Sequence, residues 1–211
     1  MRKTSEILEI MRIFERKNPN PQCELHFHNP YTLLVAVMLS AQSTDKGVNK
    51  ATEALFKIAD TPQKMLNLGI DKLKDYIKTI GLYNNKAKNI MEMSRQLVAE
   101  FSGEVPADRD VLTTLAGVGR KTANVVMNVW FKQPTLAVDT HVMRISHRLD
   151  FSQGKTPLEV EKDLLKVLPK DLIINTNHWL VLFGRYTCKA QRPLCENCPI
   201  SAYCHCGDKR I

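Results

Sequence analysis

Hydrophobic residues recur at helical spacing along most of the chain. Four of them would share one face of a first helix: Ile7, Ile10, Met11 and Phe14. Thr4 or Ser5 would cap that helix, and the last clear helix runs from Asn177 to Cys188. No segment alternates with the period of two that predicts a strand, and no long internal repeat is visible. The pattern therefore predicts an all-α protein of about ten helices joined by short links.

Local signals mark where several of these helices begin and end. Pro30 opens the almost wholly apolar segment 31–39, whose length and initial proline favour a buried helix over a strand. Thr156 and Glu159 stand at the spacing of a capping box and indicate the start of a later helix. Gly81 is expected to stop the helix that precedes it.

The overall composition is that of an ordinary globular protein with a basic surplus. The chain has 211 residues, of which 44% are apolar and 25% charged, and its formal net charge is +8. A basic balance favours an anionic partner such as nucleic acid. The longest apolar run, residues 33–39, is far shorter than the roughly 20 residues that a membrane-spanning helix needs. We therefore expect no membrane partner and a cytoplasmic location, since no targeting signal is visible either.

Five of the six cysteines fall within the last 24 positions. Cys188, Cys195, Cys198 and Cys204 follow the spacing C-x6-C-x2-C-x5-C, whose short loops let four thiolates converge on one metal centre. Disulfides are not expected, because the cytosol keeps thiols reduced. Cys206 lies two residues past Cys204 and leaves the choice of the fourth ligand open.

The spacing of these cysteines favours an iron–sulfur cluster over zinc. Structural zinc usually takes two tight Cys pairs with a longer gap between them, whereas this chain has one tight pair flanked by longer arms. A single loop that wraps a larger inorganic cube suits four-thiolate ligation of a 4Fe–4S cluster. Lys189 and Arg192, between the first two cysteines, would form either a phosphate-contacting finger or a merely solvated loop.

Gly117 and Gly119 flank Val118 in a turn between two helical stretches. Glycine permits positive φ and close backbone approach, and Val118 would plug the turn into the core. The amides of the turn and of the following helix would then point outward and bind an anion such as a DNA phosphate. An ordinary link between two helices is the alternative, because two glycines at this spacing are weak evidence alone.

Lys121 and Asp139 are the candidate catalytic residues. A lysine in the first turn of a helix, beside Arg120 and partly desolvated, should have a lowered pKa, and a neutral amine can form a Schiff base. Asp139 precedes the helix of His141, where it would cap that helix, face Lys121 across a cleft, or do both. For Lys121 the alternative is a solvated lysine at the start of a surface helix.

The hairpin at 117–119, Lys121, the segment 138–141 and the cysteine loop follow one another in an order that resembles the endonuclease III family. These are helix–hairpin–helix DNA glycosylases with AP lyase activity, and the resemblance covers essentially the whole chain. It implies two helical lobes with a cleft between them. Residues 21–133 would form a six-helix barrel with the hairpin, while residues 1–20 and 134–211 would form the lobe that carries the cluster loop, 188–204.

The resemblance also implies a function and a set of catalytic residues. The protein would act in base excision repair, removing oxidised pyrimidines and then cutting the abasic strand by β-elimination. Lys121 matches the family's Schiff-base lysine, Asp139 its essential aspartate, and the four cysteines the ligands of its 4Fe–4S cluster. The expected partner is double-stranded DNA with a damaged pyrimidine or an abasic site. A nucleoid-associated monomer is expected.

Further residues match positions where the family meets DNA. Gln42 and Leu82 match residues that fill the gap left by the extruded nucleotide. The full set of expected DNA contacts is Gln42, Thr44, Asp45, Leu82, Gly117, Val118, Gly119, Arg120, His141, Lys189 and Arg192. Ala116 departs from the family's usual Leu-Pro-Gly hairpin, and the loss of that proline is expected to loosen the turn slightly.

Three other functions compete with this interpretation. Monofunctional adenine glycosylases resemble the chain in hairpin, aspartate and cluster, but they lack the lysine at position 121 and carry an extra C-terminal domain for which 211 residues leave no room. A non-catalytic helix–hairpin–helix DNA-binding module would need neither Lys121 nor Asp139. Iron–sulfur electron carriers are expected to be small and acidic, whereas this chain is basic.

Overall fold

The computed structural model of the protein describes residues 1–207 and 209. Within these residues the chain forms eleven α-helices, one short 3-10 helix at Ser201–Tyr203 and no β-strand, so the prediction of an all-α fold is confirmed. The helices are α1 (Thr4–Lys17), α2 (Pro30–Ser40), α3 (Asp45–Ile58), α4 (Pro62–Leu68), α5 (Ile70–Ile77), α6 (Tyr83–Phe101), α7 (Arg109–Leu112), α8 (Arg120–Val129), α9 (Thr140–Arg148), α10 (Pro157–Val167) and α11 (Lys170–Tyr186).

The chain divides into two compact units, one formed by Met1–Gln22 with Pro134–Ile211 and the other by Cys23–Gln133. The second unit contains α2 to α6 and α8, together with the one-turn helix α7. None of the helices in the described residues is long and apolar enough to cross a membrane.

Helix α2 lies in the core of the unit of residues 23–133 and packs against α3, α6 and α8. Asn29 begins it with a complete capping box, in which the Asn29 side chain accepts from the Thr32 amide and the Thr32 hydroxyl accepts from Asn29. Residues 31–39 are all buried, so this helix has no polar face. The prediction of a buried helix after Pro30 is confirmed.

The other unit joins the N-terminal helix to the C-terminal helices. Helix α1 packs against α11, where the rings of Phe14 and Phe183 lie 5.0 Å apart between centroids. The indole N–H of Trp179 donates to Asn18 O just past the end of α1, at 2.7 Å. Helix α9 packs against both α10 and α11. Thr156 and Glu159 form the predicted capping box at the start of α10.

Three predicted helix ends are wrong. Helix α1 is capped by the extended backbone of Lys3 with no side-chain hydrogen bond, so neither Thr4 nor Ser5 is its cap. Helix α5 ends at Ile77, because Lys78 already leaves the hydrogen-bonded helix and Gly81 lacks the positive φ of a terminating glycine. Helix α11 begins at Lys170 rather than Asn177, because Pro169 sets its N-terminus.

Candidate functional site

The glycine hairpin between α7 and α8 is a type II β-turn. The Val118 N–H donates to Leu115 O at 3.1 Å, and of the two central residues only Gly117 has a positive φ, of 74°. A Cβ at Gly117 would lie 2.7 Å from Cβ of Asn89 on α6, so glycine is required for both conformation and space. Val118 is buried, as expected, but its N–H is directed inward and is not offered to a phosphate.

Ala116 occupies the second position of this turn, where its N–H takes no part in the turn's own hydrogen bond. That N–H donates to the side-chain oxygen of Gln96 on α6, at 2.8 Å. The same position is the one at which type II turns favour proline, which explains the family's usual Leu-Pro-Gly sequence. Proline has no N–H, so the contact with Gln96 exists because this chain has alanine. The predicted loosening of the turn is therefore opposed by a hydrogen bond that sequence reasoning missed.

Lys121 lies in the first turn of α8. The N-cap of this helix is Gly119, which offers no side-chain hydrogen bond, and an added Cβ there would meet no atom within 4 Å. The N-terminus of α8 is therefore open to an approaching anion. Lys121 is exposed, so the expectation that the protein itself partly desolvates it is wrong. A bound partner would have to exclude water from this amine.

Asp139 is the N-cap of α9, so the expectation that it caps this helix is confirmed. Its Oδ1 accepts hydrogen bonds from the amides of His141 and Val142, at 2.8 and 2.9 Å. These two bonds fix the direction of the carboxylate and leave Oδ2 outside the cap. Asp139 is only partly buried.

His141 follows in the first turn of α9 and is partly buried. Burial is the main cause that lowers the pKa of His141, against the attraction of Asp139 and together with repulsion from Arg144. A guanidinium nitrogen of Arg144 lies 3.2 Å from Nδ1 of His141. Because a guanidinium can only donate, Nδ1 of His141 is the acceptor in a hydrogen bond between them. Burial and the neighbouring Arg144 cation therefore both favour the neutral imidazole of His141.

Four cysteines surround one cavity in the C-terminal part of the chain. Cys188 follows α11, Cys195 and Cys198 lie in the next loop, and Cys204 follows the 3-10 helix. The cavity holds about 330 Å³ of space not filled by protein atoms, its open mouth included. Most of its other lining residues are apolar: Leu149, Phe183, Pro193, Leu194 and Ile200. Cys204 lines the cavity and Cys206 does not.

The arrangement of the four cysteines fits a cluster better than a single ion. No three His, Cys, Asp or Glu side chains of the described residues lie close enough together to hold one metal ion. Zinc would need all four sulfurs at about 2.3 Å from one point. A 4Fe–4S cluster instead takes each thiolate at a different corner of a cube. Thiols that line one cavity without meeting at one point suit a cluster.

Burial raises the pKa of both Cys188 and Cys198. Buried thiols on their own keep their protons, because the interior disfavours the thiolate. Thiolate ligation at these positions thus needs a nearby positive charge, which iron supplies.

Two arginines of α9 reach the cysteine loop, and sequence reasoning missed both. The guanidinium of Arg148 donates to Lys189 O at 2.7 Å, to Ala190 O at 3.2 Å and to Cys188 Sγ at 3.4 Å. Arg144 donates to Gly184 O on α11 at 2.8 Å and to Cys188 O at 3.4 Å. Their spacing of four residues places them on one face of α9, which is the signal that could have found them. The helix that begins at Asp139 therefore also holds the start of the cysteine loop.

The expected phosphate-contacting finger between Cys188 and Cys195 is a closed loop. The Leu194 N–H donates to Thr187 O at 2.9 Å and joins its two ends. Lys189 and Arg192 are both exposed on it, and Arg192 has a φ of 52°. The loop is thus ordered from within while its two cations face outward.

The loops of Gln42 and Leu82 lie next to each other. A Cβ added at Gly81 would be 3.7 Å from Gln42 O. Gln42 and Leu82 share a left-handed backbone, with φ of 56° and 57°, and both are exposed. Positive φ is uncommon outside glycine and is often found at functional positions. The structure therefore brings together the two residues expected to fill the gap in DNA.

The expected contacts beside Gln42 have structural roles of their own. Thr44 is the N-cap of α3, and its hydroxyl accepts from the Gly47 amide at 3.2 Å. Asp45 lies in the first turn of the same helix, where a negative charge is favourable.

Comparison with known proteins supplies the family. Residues 35–170 match the family described as the HhH-GPD superfamily base excision DNA repair protein, and residues 188–204 match the iron–sulfur binding domain of endonuclease III. The chain is 53% identical to endonuclease III of Haemophilus influenzae, over 99% of both chains. It is 52% identical to that of Escherichia coli strain K12, over 96% of both.

Solved structures agree with this assignment. A trapped endonuclease III–DNA covalent intermediate is 46% identical and superposes with a TM-score of 0.92, covering 97% of each chain. A thermostable thymine-DNA glycosylase, 23% identical, shares the fold with a TM-score of 0.81 over 96% of this chain and 95% of that one. This chain belongs to the endonuclease III family of HhH-GPD base excision DNA repair proteins.

Proposed function

We propose that this protein is a bifunctional DNA glycosylase and AP lyase in which Lys121 is the nucleophile. The observation that carries the proposal is the exposed Lys121 at the open N-terminus of α8, directly after the hairpin. A solved relative at 46% identity was trapped as a covalent intermediate with DNA, and such an intermediate requires a nucleophile on the protein.

The hairpin would dock on the DNA backbone next to the reacting nucleotide. The first turn of α8, whose N-cap Gly119 provides no side-chain hydrogen bond, suits a phosphate oxygen, and Gly119 leaves the approach unobstructed. Arg120 adds a positive charge at the same place. A phosphate held here would bring the adjoining sugar within reach of Lys121.

In the proposed reaction, Lys121 Nζ attacks C1′ of the damaged nucleotide and the glycosidic bond breaks, so that the base leaves with the bonding electrons. The sugar ring then opens: the C1′–O4′ bond breaks as the nitrogen lone pair forms the imine between Nζ and C1′, and O4′ takes up a proton lost from the nitrogen. The imine acidifies C2′–H, and loss of that proton expels the 3′ phosphate. Water then hydrolyses the imine and frees Lys121. Asp139, whose direction is fixed by two amide bonds, would stabilise the positive charge on the sugar.

Gln42 and Leu82 would occupy the space vacated by the nucleotide. A base within a duplex must leave the stack before its C1′ can be attacked, at a cost of a few kcal/mol. Side chains inserted from two adjacent exposed positions would offset part of that cost.

The 4Fe–4S cluster held by Cys188, Cys195, Cys198 and Cys204 supplies structural cross-linking when bound, since none of the proposed steps transfers an electron. The residues around it would act on DNA directly. Lys189 and Arg192 present two cations on a closed loop, and Arg148 fixes the backbone of that loop. The proposed substrate is double-stranded DNA with an oxidised pyrimidine or an abasic site, bound by one nucleoid-associated copy of the chain.

A borohydride trap tests the role of Lys121. Duplex DNA with one abasic site is incubated with wild type, with Lys121→Gln and with Lys57→Gln, an exposed lysine at the end of α3 that serves as control. We expect wild type and Lys57→Gln to form the covalent adduct and, without reductant, to cut the strand. Lys121→Gln should bind the duplex but do neither. An adduct formed by Lys121→Gln would refute the assignment of the nucleophile.

A further inference from the structure

Lys86, in the first turn of α6, has an unusual environment for a lysine. It is 8% exposed and is the buried lysine among the described residues. Lysine is rarely buried unless its charge is compensated. No ion pair within residues 1–207 and 209 includes it.

The charge of Lys86 is compensated by the end of α2 and the loop that follows. Its Nζ donates to Leu39 O at 2.8 Å, to Ala41 O at 2.6 Å and to the Ser43 hydroxyl at 3.4 Å. The last carbonyls of a helix lack partners within it and carry partial negative charge. Burial lowers the pKa of Lys86, while these oxygens stabilise its ammonium form. The ammonium group thus caps α2 where water is excluded.

Gln42 lies between Ala41 and Ser43, which both accept hydrogen bonds from the Lys86 ammonium group. The left-handed conformation of Gln42, with φ of 56°, is unfavourable for a non-glycine residue. Hydrogen bonds from one cation to Ala41 O and to Ser43 restrain the chain on both sides of it. The strained conformation is therefore maintained from outside the loop, and the Gln42 side chain remains exposed.

Lys86 is also linked to Leu82. The backbone N–H of Lys86 donates to Leu82 O at 3.1 Å in the first turn of α6. One residue therefore contacts the loop of Leu82 through its backbone and the loop of Gln42 through its side chain.

We propose that Lys86 is a positioning residue for nucleotide extrusion, which holds Gln42 and Leu82 as one rigid unit that enters the DNA. The proposal rests on the proposed function, because it takes Gln42 and Leu82 as the residues that fill the gap. Lys86 itself touches neither substrate nor reacting atoms in this role. Its contribution should appear only where a nucleotide has to leave a duplex.

The test compares Lys86→Met with Lys88→Met, which removes one positive charge from an exposed position on the same helix. Strand cleavage is measured on an abasic site in a duplex and on the same strand without its complement. We expect Lys86→Met to lower kcat/KM on the duplex by up to about a hundredfold, as misplacement of a critical group does, and to leave single-strand cleavage unchanged. Lys88→Met should match wild type on both substrates. Equal losses on duplex and single strand would show a general structural role and overturn the proposal.

A second comparison uses Gln42→Ala, alone and combined with Lys86→Met. If Lys86 acts through Gln42, the double variant should cleave duplex no more slowly than the slower single variant. Independent, multiplying losses would contradict the proposal. Normal duplex cleavage by Gln42→Ala would overturn the proposed role of Gln42. If Gln42→Ala is impaired and Lys86→Met is fully active, only the proposed role of Lys86 is overturned.

If Lys86→Met does not fold, the same cleavage comparison is made with Lys86→Gln. The glutamine is uncharged and still a donor, but it is too short to span both Leu39 O and Ala41 O. We expect it to fold, with a loss on duplex and not on single-stranded DNA. Wild-type rates on both substrates would refute the proposal.

Discussion

The hydrogen bond between the Ala116 N–H and the Gln96 side chain can be tested by a double-mutant cycle. The cycle separates the contribution of this bond to stability from the other effects of Gln96 and Ala116. The perturbations are Gln96→Met, which keeps length and helix propensity but removes the acceptor, and Ala116→Pro, which restores the residue most suited to this turn position. Each is made alone and both are combined.

The expected magnitudes follow from the contact itself. Gln96→Met leaves the N–H of Ala116 without its 2.8 Å partner in a partly buried position, which should lower the free energy of unfolding by about 1–2 kcal/mol. Ala116→Pro loses the same bond but leaves no orphaned donor. The restriction of the unfolded chain by proline stabilises by about 0.4–1 kcal/mol and roughly balances the lost bond. We therefore expect Ala116→Pro to be near neutral.

The decisive quantity is the effect of Gln96→Met in the proline background. With no N–H to satisfy, this change should alter the free energy of unfolding by less than about 0.5 kcal/mol. The double-mutant cycle should therefore show a coupling of about 1–2 kcal/mol between the two positions.

Urea unfolding of the four proteins at equal cluster content, followed by helical circular dichroism, measures the cycle. Amide hydrogen exchange gives a local check, because Ala116 N–H should lose protection in Gln96→Met. An equal effect of Gln96→Met in the alanine and proline backgrounds would refute the reasoning. It would mean that Gln96 stabilises the protein without acting on the turn.

Three further predictions concern other parts of the site. Asp139→Asn keeps an acceptor at the N-cap of α9, so it should reduce strand cleavage without loss of stability. Asp139→Ala should reduce strand cleavage and also lower the free energy of unfolding by about 1 kcal/mol. Equal stability of the two variants in urea would contradict the capping role of Asp139. Arg148→Met removes donors to Cys188 Sγ and Lys189 O, so the cluster's visible absorbance should decay faster in chelator than in the exposed control Arg95→Met. Gly117→Ala should destabilise the protein by about 2 kcal/mol or more, because position 117 has a positive φ and the added Cβ would clash with Asn89. Gly119→Ala has free space around the added Cβ and should lower the melting temperature much less.

Several features that depend on neighbours in sequence were predicted correctly, although the cap of α1, the end of α5 and the start of α11 were not. The buried helix after Pro30, the capping box of Thr156 and Glu159, and the cap at Asp139 each need residues only a few positions apart. Their physics is local, since the side chain and the amides it binds belong to the same turn. The iron–sulfur domain at residues 188–204 was recognisable for a related reason, because four thiols in one short segment have few other uses.

Residues that support the site from a distance were missed. Lys86 bonds to Leu39 O, Gln96 to the amide of Ala116, and Arg148 to the backbone of Lys189. In sequence each is an ordinary polar residue on the surface of an amphipathic helix. The partner in each case is a backbone group, which leaves no mark on the sequence.

The sequence by itself determined the all-α class, most of the helices, the cysteine spacing and the order of motifs that identifies the family, because periodicity and spacing are properties of one chain segment. Only the tertiary structure decided that Cys204 rather than Cys206 lines the cavity, that Lys121 is exposed, and that one buried lysine joins the loops of Gln42 and Leu82. These outcomes depend on which backbone carbonyls and amides lose access to water when helices pack. A polar group deprived of water must find a partner, and that partner is chosen by proximity in space.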